Sequence, residues 1–305
     1  MRTSGEPMQV DVCVATYKRP TLLKKLLHSL IRQQLDHNVT MRIVVVDNDV
    51  DESARHVVTQ YAELGHLPVC YETEPVQNIA LARARALSVC SGDYVAFIDD
   101  DEEATPEWLQ HLLETIRRFQ ADVVFGPVLP VYPENTPDWV RRGRFFERDR
   151  KPTGIACPHG ATNNVLVARQ TIIATGLQFN PAYGRTGGED TDFFYRLGQR
   201  GVRMVWCDDA IVTEGVAENR MTPAWLIRRA YRGGQMYGRV LISPKRFLAR
   251  IPWVAQRVSY LVVAVALLPL AWLWGKDAGV RTLMKISSNL GHLTSQSGWL
   301  YEGHR

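Results

Sequence analysis

The residues of this sequence best suited to chemistry are three consecutive aspartates, Asp99, Asp100 and Asp101. They follow the apolar run 94–98, which has the length and composition of a buried strand. Carboxylates at the carboxyl end of such a strand project into the crevice where open α/β sheets bind ligands. Strand alternation also lets Asp99 and Asp101 share a side. The cluster favours a hard divalent cation, Mg²⁺ or Mn²⁺. The alternative is a solvated acidic loop that caps the next helix, and these residues alone do not distinguish the two.

A second acidic group, Glu189 and Asp190, opens a predicted helix directly after Gly187 and Gly188. Acids in a first helical turn are ordinarily partners of the helix dipole. A glycine pair before two adjacent carboxylates also suits a general base on a hinge that closes over a substrate.

Polar pairs follow two other predicted strands, Thr16-Tyr17 after the first and Asp47-Asn48 after the second. The carboxyl ends of parallel strands are neighbours in space, so these pairs are expected in the same crevice as the aspartates. Turn chemistry is the alternative for any one of them.

Two amides, Asn163 and Asn164, follow a glycine-containing loop and enter a predicted strand. Amide side chains both donate and accept hydrogen bonds, which suits a hydroxyl-rich ligand. They can equally bond to the local backbone.

Strands alternate with helices over the first 130 residues, which predicts an α/β fold with a mostly parallel sheet and helices on both faces. Thr21 is the predicted cap of the first helix. The stretch 130–158, rich in Pro, Arg and aromatic residues, is expected to be a surface excursion with little regular structure. A dinucleotide-binding G-x-G-x-x-G and a P-loop motif are both absent from the sequence. The predicted strands are 10–16, 41–46, 68–72, 94–98 and 122–128, and the predicted helices 21–34, 52–64, 79–89 and 106–119.

The composition limits the classes of partner and compartment. The 305 residues suffice for one large α/β domain plus an appendage, or for two domains. A net charge of +4 is mild and gives no indication of nucleic acid binding. The five cysteines are scattered and form no C-x-x-C pair, so reduced thiols are expected.

The C-terminal part of the sequence combines basic and apolar character. Residues 219–276 contain no acid, and the 18 residues 258–275 carry no charge. A membrane-spanning helix needs ~20 apolar residues, with ~17 as a lower limit. Trp253, Trp272 and Trp274 suit interfacial anchors. A buried core helix is the alternative. We expect membrane association, by a span or an interfacial hairpin, with the basic stretch on the anionic cytoplasmic leaflet.

Taken together, these stretches resemble the family 2 glycosyltransferases, which are inverting enzymes with the GT-A fold. The likeness covers roughly residues 9–235. Within the family the chain is most similar to bacterial exopolysaccharide enzymes of the succinoglycan-biosynthesis type. The resemblance implies a GT-A domain over residues 1–235 and a basic, hydrophobic, helical membrane-associated region over 236–305. The matching motifs are 14–20, 44–48, 78–87, 92–101 and 188–190.

The resemblance also implies roles for individual residues on the donor side. Asp99 and Asp101 match the ends of the family's D-x-D motif, and Asp101 would bind a Mn²⁺ or Mg²⁺ ion that bridges the diphosphate. Asp100 would face the ribose or the donor sugar. The remaining nucleotide-sugar contacts would come from Thr16, Tyr17 and Arg19 against the nucleotide, Asp47 or Asn48 on the base, and Arg83 near the base or phosphates.

On the acceptor side, Asp190 fits the family's catalytic base, with Glu189 as the less favoured neighbour. Many relatives have a histidine metal ligand after the last core strand, and here Glu214 occupies that place. Asn163 and Asn164 would contact the acceptor.

These roles predict a metal-dependent inverting glycosyltransferase. It would move a sugar from a nucleotide-sugar donor to a polyprenyl-linked saccharide in bacterial polysaccharide synthesis. Its expected location is the cytoplasmic face of the inner membrane. Inversion needs one base and no covalent sugar–enzyme intermediate, unlike most retaining glycosidases. One alternative is a Mg²⁺-dependent phosphohydrolase or nucleotidyltransferase that uses the aspartate cluster. Another is a non-catalytic, membrane-bound module that binds a nucleotide sugar.

Overall fold

The computed structural model describes residues 7–243 and 246–295, and these divide into two compact units. The first unit comprises the described residues up to Leu129, together with Arg148–Arg185 and Glu189–Glu214. The second comprises Pro130–Glu147, Thr186–Gly188 and the described residues from Gly215 onward. The sequence predicted a single boundary at residue 235. The second unit instead includes two earlier segments, and its last segment begins at Gly215.

The strands form two sheets, a large one of seven strands and a small one of three. The strands are β1 (Met8–Thr16), β2 (Val39–Asp47), β3 (Val69–Thr73), β4 (Tyr94–Ile98), β5 (Glu102–Ala104), β6 (Val123–Phe125), β7 (Val128–Val131), β8 (Asn164–Ala168), β9 (Met204–Trp206) and β10 (Val212–Gly215). The large sheet has the order β3-β2-β1-β4-β8-β6-β9, and the small one has the order β5-β10-β7. Among the strands of the described residues, only β8 runs antiparallel to its neighbours in the large sheet. The predicted mostly parallel sheet is therefore confirmed.

Alternation along the central strands divides the buried side chains between two cores, one on each face of the large sheet. The helices are α1 (Pro20–Leu30), α2 (Arg55–Glu63), α3 (Ile79–Val89), α4 (Trp108–Arg118), α5 (Asp138–Gly143), α6 (Arg169–Thr175), α7 (Glu189–Gln199), α8 (Pro223–Tyr237), α9 (Phe247–Trp274) and α10 (Lys276–Thr294). Val12 of β1 belongs to one core with Leu26 of α1. Its neighbour Cys13 belongs to the other core with Ala82 of α3 and Phe193 of α7. Strands buried on both faces explain the continuous apolar runs of the sequence.

Two local predictions are wrong. The first helix begins at Pro20 with Arg19 as its N-cap residue, and Thr21 lies inside the helix. Proline fits the first helical position because that position needs no backbone N–H donor. The predicted strand 122–128 is also interrupted, since β6 ends at Phe125 and β7 begins at Val128.

The stretch 130–158 is more ordered than the sequence indicated. It contains α5, and its aromatic residues pack in the core of the second unit. Phe146 stacks on Trp225 with ring centroids 5.8 Å apart, and the Arg229 guanidinium lies over both rings. Proline and arginine content alone did not reveal this packing because the partners come from α8, about 80 residues later in the chain.

Helix α9 presents an apolar surface that the second unit leaves exposed. Its segment Arg250–Trp274, 25 residues, is long and apolar enough to cross a membrane, and it is the one such segment in the part of the chain that the structure describes. The core helix of a soluble protein can be equally long and apolar, but such a helix is mostly buried. In α9, by contrast, Leu273 and Trp274 are 83% and 86% exposed. Helix α10 packs against both α8 and α9.

Candidate active site

The aspartate cluster lies where the sequence predicted, at the carboxyl ends of β1 and β4. Thr16, the last residue of β1, donates a hydrogen bond from Oγ1 to Asp100 Oδ2 at 2.8 Å. Arg19 Nη1 donates to Asp100 Oδ1 at 3.1 Å and to Asp101 Oδ2 at 3.3 Å. Three of the predicted nucleotide-sugar residues therefore meet in one network, together with the predicted metal ligand Asp101.

Asp100 is the buried member of this network, with 5% of its surface exposed. Burial raises its pKa to about 6, against the opposing effects of the Arg19 charge and the Thr16 hydrogen bond. Glu102, the first residue of β5, is 1% exposed. Burial, together with the charge of Asp99, raises the pKa of Glu102 well above its usual value. Burial is the first cause of both shifts and the neighbouring aspartate charges add to it, so a positive charge beside the cluster would favour the ionised carboxylates.

Arg83 of α3 connects the aspartates to the second acidic group. Its Nη2 donates to Asp99 Oδ1 at 3.1 Å, and its Nη1 donates to Glu189 Oε1. Burial alone would lower the pKa of Arg83, but the charges of Glu189, Asp99 and Asp190 outweigh it and raise that pKa. The side chain is 8% exposed, so this guanidinium is a buried ion-pair bridge between the end of β4 and the start of α7.

Glu189 lies in a different environment from its neighbour Asp190. Glu189 is 4% exposed, and burial raises its pKa to about 7, opposed by the charge of Arg83 and reinforced by that of Asp190. Its Oε2 is buried without a hydrogen-bond partner among the described residues. Asp190 is half-buried, and its Oδ1 accepts hydrogen bonds from the Thr191 N–H at 2.6 Å and the Thr191 hydroxyl at 3.3 Å. Asp190 is therefore the more accessible carboxylate, and Glu189 positions Arg83.

Gly187 and Gly188 have positive φ angles of 83° and 99°, a conformation that disfavours any residue with a Cβ. A Cβ on Gly188 would lie 2.5 Å from Met236 Cγ, whereas one on Gly187 would meet nothing within 4 Å. The glycine pair therefore provides a turn that other residues could not form without strain. The predicted hinge motion stays a prediction.

Glu214, the predicted third metal ligand, lies on β10 opposite Glu102 of β5. Its Oε2 is 3.3 Å from Arg148 Nη2. The Arg148 charge also acts on Glu102 and on Asp99, whose carboxylates lie in the same cluster. Sequence reasoning missed Arg148, because it belongs to a Pro- and Arg-rich stretch in which no spacing distinguishes one arginine from another.

The chemistry of the cluster fits a hard divalent cation, since its ligating atoms are carboxylate oxygens. Among the described residues, however, no three His, Cys, Asp or Glu side chains converge closely enough to bind one ion. The predicted set of Asp99, Asp101 and Glu214 is therefore not brought together in this structure, where Glu214 pairs with Arg148, and the metal-ligand role of Glu214 stays a prediction. Mg²⁺-type ions commonly take only one or two protein carboxylates and complete their shell with substrate phosphates and water. Asp99 and Asp101 satisfy that smaller requirement.

Two of the predicted base contacts are structural residues. Asp47 is fully buried and accepts hydrogen bonds from the Ala54 N–H at 2.7 Å and the Tyr71 hydroxyl at 3.0 Å. Asn48, 4% exposed, donates to the Glu74 and Val76 carbonyls and accepts from the backbone. Because their polar atoms are engaged internally, the predicted contact with the base is corrected. Asp47 supports the turn before α2 and strand β3, and Asn48 supports the loop before α3. Tyr17 is 36% exposed and accessible to a ligand, so its nucleotide contact stays a prediction.

The two predicted acceptor residues, Asn163 and Asn164, lie in different environments. Asn164 is 1% exposed, and its amide donates to the Pro127 and Ala210 carbonyls while its Oδ1 accepts from Trp108 Nε1 at 2.8 Å. This side chain fastens three chain segments inside the core, so its predicted acceptor contact is wrong. Asn163 is partly exposed, and its acceptor contact stays a prediction.

The comparisons with known proteins identify the family. The profile described as Glycosyl transferase family 2 matches residues 11–171. The succinoglycan biosynthesis protein ExoM of Rhizobium meliloti (strain 1021) is 36% identical over 243 residues, which cover 78% of this chain and 76% of that protein. The chain belongs to glycosyl transferase family 2.

Two further relatives of this family 2 glycosyltransferase are informative. The glucosyl-dolichyl phosphate glucuronosyltransferase of Haloferax volcanii is 22% identical over 246 residues, covering 74% of this chain and 75% of that one. The solved mannosyltransferase PcManGT of Pyrobaculum calidifontis, in complex with GDP-Man and Mn²⁺, superposes with a TM-score of 0.66 at 18% identity. The superposition covers 97% of this chain and 90% of the mannosyltransferase chain. The fold of this glycosyltransferase is thus of the predicted GT-A type, and the phosphohydrolase, nucleotidyltransferase and non-catalytic alternatives are wrong.

Proposed function

We propose that this enzyme transfers a sugar, with inversion, from a nucleotide-sugar donor to a lipid-linked saccharide in bacterial exopolysaccharide synthesis. Support for the polysaccharide comes from the similarity to the succinoglycan protein, and support for a lipid phosphate carrier from the name of the Haloferax relative. Support for a nucleotide sugar and a divalent cation comes from the solved mannosyltransferase.

The observation that carries the proposal is the Arg83 bridge between Asp99 and Glu189. It connects the donor-side carboxylates to the residue next to Asp190, so the two functions belong to one rigid network. In this assignment Asp190 removes the proton from the acceptor hydroxyl, and that oxygen attacks the anomeric carbon from the face opposite the leaving diphosphate. Glu189 positions Arg83, and Arg83 and Arg19 supply positive charge beside the diphosphate as it gains negative charge.

Asp99 and Asp101 are the residues that would bind Mn²⁺ or Mg²⁺. A bound cation would supply Lewis-acid stabilisation of the diphosphate oxygens. Its positive charge would also oppose the effect of burial, which raises the pKa of Asp100 and Glu102.

We also infer that the enzyme works at the cytoplasmic face of the inner membrane, with α9 as the membrane contact. The segment Arg250–Trp274 would be about 38 Å long at ~1.5 Å per residue, enough for a hydrocarbon core of ~30 Å. The absence of acids from residue 219 to residue 276 suits an anionic leaflet. Apolar surface of this extent is otherwise a liability in water.

A donor screen tests the catalytic part of the proposal. Full-length enzyme in detergent would be incubated with each common nucleotide sugar and a bacterial lipid extract, and nucleoside diphosphate release would be measured with Mn²⁺ and with a chelator. One donor should give release that needs both the lipid extract and the cation. Release that is equal without the extract would indicate hydrolysis, and release that is equal in chelator would remove the assigned role of Asp99 and Asp101.

A further inference from the structure

Three side chains of the second unit form a cluster that the proposed reaction does not use: Trp253 and Arg257 of α9, and His292 of α10. Trp253 and Arg257 are four residues apart and therefore neighbours on one helix face. The Arg257 guanidinium carbon lies 5.6 Å from the Trp253 ring centroid. The Trp253 and His292 rings meet edge to face, with centroids 5.5 Å apart and an interplanar angle of 81°.

Each of these side chains has a buried polar atom without a hydrogen-bond partner within residues 7–243 and 246–295: Trp253 Nε1, Arg257 Nε and His292 Nδ1. His292 as a whole is 8% exposed. A buried polar group without a partner is destabilising, and more so when the group is charged. Such groups are rare in folded proteins, and three of them on Trp253 and the two side chains packed against it indicate a ligand that is bound in the working enzyme.

The charge of the cluster is positive. Burial, reinforced by the Arg257 charge, lowers the pKa of His292 to about 4, so the imidazole is neutral at pH 7 and Arg257 carries the charge. No acid lies between residues 219 and 276, and the one acid of α10, Asp277, pairs with Arg142 at 3.5 Å. The N–H donors of Trp253 and Arg257, the latter on a guanidinium that pairs with no acid among the described residues, suit an anion with several oxygens, and arginine is the preferred partner of phosphate. The neutral His292 ring bonds the Gly234 backbone, so its Nδ1 can accept a hydrogen bond from a protonated phosphate oxygen.

The position of the cluster indicates where such a phosphate comes from. Arg257 directly precedes the uncharged stretch 258–275, and Trp253 lies one turn before it. In a helix that enters a bilayer, the residues at the end of the apolar stretch lie at the level of the lipid headgroups. We propose that Trp253, Arg257 and His292 bind the phosphate of a lipid, either a phospholipid headgroup or an isoprenyl diphosphate. The lipid source rests on the proposed membrane contact of α9, whereas the phosphate chemistry does not.

Titration of the full-length protein in maltoside micelles tests this site without reference to catalysis. Calorimetry and ³¹P NMR would follow binding of farnesyl diphosphate, of dihexanoyl phosphatidic acid and of inorganic phosphate in separate arms. We expect at least one lipid phosphate to bind, and Arg257→Gln to weaken it at least about tenfold, the loss of one charge-assisted hydrogen bond. Trp253→Phe, which keeps the ring contact and removes only the N–H donor, should weaken it by a smaller factor.

Arg228→Gln is the matched control, because Arg228 is an exposed arginine of α8 and its loss removes the same charge from the same unit. It should leave the affinity nearly unchanged. The proposal is overturned if Arg228→Gln and Arg257→Gln weaken binding equally, or if no arm shows binding. If Arg257→Gln fails to fold, as thermal melts would show, unchanged affinity in Trp253→Phe overturns it. Equal affinity for inorganic phosphate and the lipids would overturn the lipid source. Loss of sugar transfer plays no part in these readouts, so failure here and failure of the proposed function are distinguishable.

Discussion

At the residue scale, the neighbours Glu189 and Asp190 illustrate how environment separates two carboxylates that sequence presents as a pair. Glu189 is buried against Arg83. Asp190 is half-buried, and its Oδ1 accepts hydrogen bonds from the N–H and the hydroxyl of Thr191. An acceptor hydroxyl can reach Asp190 without breaking a buried ion pair. The assignment of the base to Asp190 and of a positioning role to Glu189 follows from this difference.

Replacing Asp190 by Asn should therefore lower turnover by roughly 10²–10⁴-fold, the usual contribution of a general base, with donor affinity nearly unchanged. Steady-state transfer and calorimetry with nucleoside diphosphate would measure the two quantities. Asp192→Asn is the control, since Asp192 is in the same helical turn but pairs with Arg196 at 2.8 Å. A mutant at position 190 that retains most of its turnover would move the base elsewhere, with Glu189 the first candidate.

The raised pKa values of Asp100 and Glu189 predict a pH-dependent response to metal. Burial raises these pKa values to about 6 and about 7. An acid whose pKa is higher in the folded state favours folding when protonated, so its contribution is lost as pH rises through the folded-state pKa. A cation offsets that loss. Mn²⁺ should therefore raise Tm more at about pH 7.5 than at about pH 5.5, where more of the acids are protonated.

Thermal melts of wild type and Asp101→Ala at both pH values would measure this response. The variant should lose most of the Mn²⁺ effect at the higher pH. Equal Mn²⁺ shifts at the two pH values, or an unchanged shift in the variant, would contradict the assignment of the cation to this cluster.

Some residues of the site could be predicted from local sequence, and others could not. Asp99, Asp101 and Asp190 were predictable because each follows a local signal, an apolar strand or a glycine pair. Asn164 was misassigned because its partners Trp108, Pro127 and Ala210 are 56, 37 and 46 residues away. An asparagine that bonds such distant segments in the core therefore has the same sequence neighbours as one in an exposed polar loop. Arg148 was missed because no spacing distinguishes it from the other arginines of its Pro- and Arg-rich stretch.

At the element scale, the apolar runs predicted the central strands correctly. A strand that is buried on both faces is apolar along its whole length, so it can be identified without knowing which strands lie beside it. Helix boundaries and the 130–158 stretch were less predictable. There, packing between remote aromatics, such as Phe146 on Trp225, decides whether a segment is ordered.

The turn before α7 provides a prediction at this scale. Gly187→Ala places a Cβ in free space but at a positive φ, which costs of order 1–3 kcal/mol. Gly188→Ala adds a contact with Met236 to the same strain and should be the more destabilising of the two. Urea unfolding would rank them. Gly233→Ala, at an open position of α8 where alanine is the better helix former, should show no loss of stability. A Gly188→Ala protein as stable as Gly233→Ala would contradict the required conformation.

At the scale of the whole molecule, the proposed membrane contact depends on the exposed apolar surface of α9. Val263→Lys changes a side chain that is 54% exposed. In water this substitution should be nearly neutral, whereas a lysine at the centre of a membrane helix costs about 2.5–3.5 kcal/mol. The variant should therefore leave the membrane fraction in flotation experiments. Val131→Lys, at a position that is 53% exposed outside α9, should float like wild type.

High salt adds a second criterion to the flotation experiment. The attraction of the basic stretch to an anionic surface is screened by salt, whereas burial of an apolar helix is not. Wild-type protein should remain with vesicles at high salt. Wild-type protein that stays soluble at low salt would remove the proposed membrane contact and the main support for a lipid-linked acceptor.

Inverting transfer to a lipid-linked saccharide can be followed by tracing labelled sugar from its donor into the organic-extractable fraction. The purified full-length enzyme would be supplied with the donor found by the screen, Mn²⁺ and lipid extract, and the anomeric configuration of the product would be read by NMR. We predict label in the lipid product, a configuration opposite to that of the donor, and loss of both in Asp190→Asn. Label that stays in water, or a product with the configuration of the donor, would contradict the account.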